Sequence, residues 1–164
     1  MAILDILNYP DPVLRAKTEP VTEFDAKLKR LIADMWETMY FANGVGLAAP
    51  QVGVPARIIV LEWEEHKYVL INPEILEEEG CERCEEGCLS FPGIFEEVDR
   101  PTKIRVRYRD EDGAEHDEVK EGFLARVFAH EIDHLRGKLL IDYLSPLKRA
   151  FLKKKMARKA KAEV

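Results

Sequence analysis

No apolar run in this chain approaches the roughly 20 residues that a spanning helix needs. With 34% of residues charged as well, a membrane protein is excluded and no membrane partner is expected. Cysteine is scarce: Cys81, Cys84 and Cys88 are the only three, all within one short stretch. An odd number so closely spaced gives no disulfide framework and points to a reducing, cytoplasmic location. The opening MAILDILNYP has neither a basic n-region nor a long apolar h-region, so it does not read as a signal peptide. A basic excess is missing too. The 25 Lys/Arg against 31 Asp/Glu leave a net charge of -6, which argues against a general nucleic-acid binder and against specific DNA binding. No repeat or low-complexity linker divides the 164 residues, so one domain over 1–164 is expected. A hydrophobic share of 46% is enough to build its core without disulfides.

The charge is segregated. From Pro146 to Val164 there are eight Lys/Arg and one Asp/Glu, or +7, which leaves -13 for the rest. Acidic residues gather at Glu62–Glu65 and Glu77–Glu86, where a solvated surface is the simplest reading. Leu28, Leu31, Ile32, Met35 and Met39 recur at helical spacing after Thr22, and Gly44 can stop that helix. RIIVLEW and KYVLIN read as strands, the second stopped by Asn72-Pro73. In KIRVRYR, Ile104, Val106 and Tyr108 alternate with arginines, so one face is buried and the other wet. The DEDG of Asp110–Gly113 is a hairpin turn into another strand. A helical pattern returns from about Gly122 to Leu135, ended by Gly137, and Ser145-Pro146 opens a basic C-terminal helix. The fold expected is α+β: antiparallel sheets packed around a central helix, with N-terminal and C-terminal helices.

That central helix carries His130-Glu131-Ile132-Asp133-His134, an HExxH string. Residues four apart on a helix share a face, so both imidazoles can reach one metal ion, and Glu131 can take a proton from water the ion activates. A catalytic site of this type has three protein ligands and an open position. No His follows His134, and the only acids beyond it are Asp142 and Glu163; Asp142 could serve. Upstream stands the cysteine cluster. Thiolate plus imidazole suits Fe(II) or Zn.

Cys81, Cys84 and Cys88 form CxxCxxxC, a spacing also compatible with a redox pair, a zinc knuckle or an iron–sulfur site. A fourth cysteine for a cluster is missing, and using all three thiols would leave HExxH without its third ligand. Cys88, within EGCLSFPG, is the best single choice.

Three strings, GVGLAAPQVG (Gly44–Gly53), EGCLS (Glu86–Ser90) and HEIDHLRG (His130–Gly137), together resemble the motifs of the peptide deformylase family, in family order. The likeness runs from YPDPVLR (Tyr9–Arg15) to DYLSPLKR (Asp142–Arg149). It implies hydrolytic removal of the N-formyl group from the initiator methionine of newly made bacterial polypeptides, releasing formate. Cys88, His130 and His134 match the family's ligands for one divalent ion, Fe2+ first, with Zn2+, Ni2+ or Co2+ able to substitute. Glu131 matches the general base, which later protonates the departing amine. Gln51 and the backbone N–H of Leu89 match donors to the developing oxyanion. Val45, Cys84, Phe123 and Val127 match the pocket for the methionine side chain, and Gly87 offers backbone pairing. For Phe123 and Val127, plain core packing is an equal reading.

Gly44 and Gly46 permit positive φ and close approach of a second backbone, as an extended peptide requires. The same GVGLAAPQVG lacks the Lys and Ser/Thr of a phosphate loop. Glu86 and Arg100 match a pair that braces the cysteine loop in relatives. One position departs from the family: Ala129 stands where relatives very often have Gln, so a hydrogen bond made there is missing. The basic C-terminal helix, by the same resemblance, is a candidate ribosome contact through RNA phosphates.

Overall fold

A computed structural model describes residues 2–162, and side chains as far as Arg158. Helix α1 (Ala26–Phe41) is capped by Asp25, whose side chain accepts the Leu28 N–H at 2.9 Å. The cap is therefore three residues later than Thr22. Strands β1 (Gly46–Ala48) and β2 (Ile58–Trp63) follow, joined through a 3-10 turn over Ala49–Val52. Next come β3 (His66–Glu79), β4 (Glu82–Cys88), β5 (Phe91–Arg100), β6 (Lys103–Arg109) and β7 (Glu115–Glu121). Helix α2 (Gly122–Leu135) and helix α3 (Pro146–Ala162) complete the chain, so the α+β expectation holds.

Two sheets divide the strands. One is five-stranded and antiparallel, in the order β1-β2-β3-β6-β7; the other is the β4–β5 hairpin. Strand β2 shows why its sequence is a continuous apolar run. Ile59 and Leu61 pack with Ala125, Phe128 and Ile132 of α2, while Ile58 and Val60 pack with Ile32, Met35 and Met39 of α1. A strand covered by helices on both faces has no wet side to alternate with. A third cluster joins Phe91, Ile94 and Val98 of β5 to Leu140, Ile141 and the α3 residues Leu152 and Met156. In β6, Ile104, Val106 and Tyr108 are buried, as the alternation predicts.

The strand of KYVLIN does not stop at Asn72-Pro73. It continues to Glu79 across a register shift between Ile71 and Glu74. Asn72 takes φ 53 there, and its side chain bridges Val21 N (2.8 Å) and Val21 O (2.9 Å), so the pair makes a bulge. The acidic stretch is exposed at Glu77–Glu79 but it is strand, with Glu77 paired to Arg105 on β6 as Glu74, just before it, is to Arg107. Glu86, at its end, is buried. The C-terminal helix begins at Pro146, with Ser145 Oγ accepting from Lys148 N at 3.3 Å. Residues 163 and 164 of that predicted segment lie outside the described residues.

Candidate metal centre

Helix α2 is buried without interruption from Ala125 to Leu135, because the large sheet covers one side and the β4–β5 hairpin the other. Arg126, His130, Glu131, Asp133 and His134 are all inside it. Polar groups in such a place must find partners or a ligand.

The rings of His130 and His134 lie 5.2 Å apart on one face. Cys88, where β4 turns toward β5, brings its Sγ to 3.3 Å from His134 Nε2. One donor atom each from Cys88, His130 and His134 falls within a span of 4.8 Å. Tetrahedral coordination by sulfur and imidazole nitrogen places donors about 3.5 Å apart, so the three suit one small ion. Glu131 adds a second observation. Its Oε2 is buried without a hydrogen-bond partner among the described residues, and its Oε1 is 4.0 Å from His130 Nε2. An unpartnered buried carboxylate oxygen beside a thiolate–imidazole set is what a general base next to a metal requires. Asp142, the alternative third ligand, is not in this group; it pairs with Arg15 at 2.9 Å and accepts from Leu139 N.

His130 donates through Nδ1 to Glu86 Oε1 at 2.8 Å, which leaves Nε2 for the centre. Glu86 is gripped by Arg100 at 2.9 and 3.0 Å and by Arg126. Arg100 also reaches Asp133 and the Tyr143 hydroxyl, and Tyr143 donates to Asp133. Arg126 spends further donors on Val98 O and Glu82 O. Sequence reasoning missed Arg126, Asp133 and Tyr143. The available signal was position, since Arg126 precedes His130 by four residues and shares its face.

The charges shift accordingly. Burial pushes the Glu86 carboxyl up, but His130 and Arg100 outweigh it and hold its pKa at about 2. Burial pushes Glu131 up to about 7, against the opposing pull of His130 and Arg100. For His130, burial favours the neutral ring, yet Cys88 and Glu86 prevail and raise its pKa well above the usual value. His134 is driven well below it by burial, with His130 and Arg100 adding repulsion.

Gln51 stands beside this group. Its Oε1 accepts the Ala48 N–H at 2.9 Å, which fixes the amide so that Nε2 faces Ser90 Oγ (3.1 Å) and Cys88 Sγ (3.7 Å). Leu89 follows Cys88 directly and packs on Gly44.

A cavity of about 450 Å³ opens onto the centre. Val45, just before β1, and Gly46 within it border the cavity, with Gly87 from β4 and Phe123, Val127 and Glu131 from α2. Phe123 is half exposed and packs on Trp63, whereas Val127 is buried in the core as well as lining the cavity. Cys84 does not line it: its thiol donates to Glu82 Oε1 at 3.4 Å, and that carboxylate raises its pKa. Cys81 is exposed. Gly44 and Gly46 do not take positive φ; close packing requires them, since a Cβ on Gly46 would meet Glu131 at 2.9 Å and one on Gly44 would meet Leu89 at 2.7 Å.

Comparison with known proteins agrees with the three motifs. Residues 3–150 match the family model described as polypeptide deformylase. A peptide deformylase of Alkalilimnicola ehrlichii is 51% identical over 160 residues, 95% of this chain and 90% of the relative. The crystal structure of a peptide deformylase from Legionella pneumophila superposes with a TM-score of 0.93 at 44% identity, over 99% of this chain and 98% of the other. That of Ehrlichia chaffeensis, in complex with actinonin, gives 0.93 at 41% identity, over 97% of this chain and 98% of the other.

Proposed function

The chain belongs to the polypeptide deformylase family, and from that premise we propose how its own residues perform the reaction. It is a hydrolase that removes the formyl group from N-formyl peptides, releasing formate and a free amine. The observation that carries the site assignment is the convergence of Cys88, His130 and His134 within 4.8 Å, with the unpartnered Glu131 carboxylate alongside.

The three would hold a single divalent ion: thiolate and imidazole suit Fe2+ or Zn2+, and the family resemblance puts Fe2+ first, with Zn2+, Ni2+ or Co2+ as substitutes. When bound, such an ion polarises the formyl oxygen and acidifies water. Everything else falls to side chains. Glu131 takes a proton from the attacking water and passes it to the departing amine; its burial raises the carboxyl above the ordinary carboxylate range, which favours a group that must carry that proton between the two. Gln51 Nε2, aimed by the Ala48 bond, donates to the oxyanion, and the Leu89 N–H is the second donor. Glu86 keeps His130 in the tautomer that presents Nε2.

The substrate fits as an extended strand. Among the described residues, strand β1 is paired only to β2, and β4 only to β5, so each presents a free edge to the cavity between them. An N-formylmethionyl nascent peptide lies along these edges at Gly46 and Gly87, with the methionine side chain between Val45, Phe123 and Val127. The catalytic unit spans 1–164 as one domain and works in the bacterial cytoplasm; bacterial relatives support this, and no helix among the described residues is long and apolar enough to cross a membrane. Helix α3 is the ribosome contact: it docks through Leu152 and Met156 and leaves Lys153, Lys154, Lys155 and Arg158 exposed.

The test is formate release. The Fe(II) protein, kept anaerobic, is expected to liberate formate from a formyl-Met peptide and to leave unformylated peptides intact. Cleavage of internal peptide bonds without formate would refute the assignment.

A further inference from the structure

On the opposite face of α2, at its C-terminal end, lies a second cavity of about 430 Å³. It is cationic: Arg15, Lys17, Arg57 and Arg136 line it, over the apolar groups of Pro73, Ile132 and Leu135, and no Asp or Glu does. Arg15 is already paired with Asp142. Among the described residues, Lys17, Arg57 and Arg136 have no carboxylate partner, in a protein where acids outnumber bases by 31 to 25.

Arg57 is also held in position. Thr18, 2% exposed, donates its hydroxyl to Leu135 O at 2.6 Å and accepts Arg57 Nε at 3.3 Å. That pins the guanidinium by one nitrogen, and its two terminal nitrogens have no hydrogen-bond partner among the described residues. A fork fixed in advance loses little freedom on binding, and its geometry matches an oxyanion with two or more oxygens.

We propose that this cleft is a phosphate-binding site, separate from the metal centre, which takes a nucleotide, free or within an RNA chain. Arg57, Arg136 and Lys17 hold the phosphate, and the part-exposed Pro73 offers an apolar contact to the sugar and base it carries. The volume exceeds what an inorganic ion fills and suits one nucleotide. The site goes beyond the deformylase activity and does not depend on it.

The test uses the metal-loaded protein at low salt, titrated with adenosine monophosphate by calorimetry and with a labelled ten-nucleotide oligouridylate by anisotropy. Saturable binding is expected for at least one probe, weakened about tenfold or more by Arg57→Gln and by Arg136→Glu. Lys29→Gln, an exposed lysine on α1 paired with Asp112 and outside the cleft, should leave it within about twofold. Formate release stays unchanged in all three variants, which also shows that they fold. Monophosphate binding with those losses identifies a free nucleotide, and oligouridylate binding alone identifies RNA. No saturable binding of either probe, or binding indifferent to both arginine variants, overturns the proposal.

Discussion

Gly46 lies so close to Glu131 that a Cβ on the glycine would meet the carboxylate Oε1 at 2.9 Å. The backbone of β1 thus forms the wall against which the assigned base rests. Gly46→Ala is expected to push the Glu131 carboxylate aside and leave the three ligand positions untouched. Turnover should fall by about 10²-fold, the low end for loss of a positioned base, with metal content unchanged. Normal kcat in this variant would show that the contact does not position Glu131.

Glu131→Gln goes further, because the amide fills the same space and cannot accept the proton. Turnover should drop by about 10²–10⁴-fold, while metal analysis still returns one ion per chain. A variant that turned over normally would remove Glu131 from the mechanism.

Gln51→Ala removes the donor that the Ala48 N–H holds in place. The expected loss is about 10²–10³ in kcat, with little change in KM, since an oxyanion donor acts on the charge that develops in the transition state. A rise in KM with kcat preserved would place Gln51 in substrate binding instead.

The catalytic helix was the most legible part of the sequence, and its support the least. Phe123, Val127 and Ile132 mark α2 by period, and His130 and His134 declare their purpose by spacing. Arg126 and Asp133 look like surface charges in one dimension, because only the hairpin folded over them makes them buried. At Asn72-Pro73 the breaking signal of Pro fits a strand end and a bulge equally, and only pairing with β6 decides between them. Glu86 stands among acids in the sequence, and only the family resemblance, not its composition, picks it out. Its neighbour Glu85 is exposed, and strand alternation around a buried Arg100 separates the two. At Gly46 the sequence suggests backbone freedom, whereas the structure requires the missing Cβ.

Glu86 also sets an acid limit. Its pKa is about 2 in the folded chain against an ordinary 4.5, so between these values the unfolded chain binds more protons. Its contribution to stability is complete above 4.5 and is lost as pH falls toward 2. At neutral pH, Glu86→Gln should destabilise by about 3 kcal/mol in urea unfolding, because Arg100 and Arg126 lose their buried counter-charge. The gap between wild type and variant should narrow as pH falls below 4.5. A pH-independent gap would mean that packing, and not charge, sets the difference.

Cys88 and Cys81 differ in every respect that bears on metal. Cys88 places its sulfur 3.3 Å from His134 Nε2, whereas Cys81 is exposed and outside the group. Cys88→Ser replaces a soft thiolate by a hydroxyl and should lower affinity for Fe(II) or Zn(II) by at least about 10²-fold. Cys81→Ser should bind as wild type does. The raised pKa of His130 adds a sign: the imidazole must give up its proton to ligate, so affinity should rise with pH and loading should release protons into weak buffer. Competition with a chelator at pH 6 and pH 8 measures the slope. Metal binding that was flat with pH, or unaffected by Cys88→Ser, would contradict the thiolate–imidazole site.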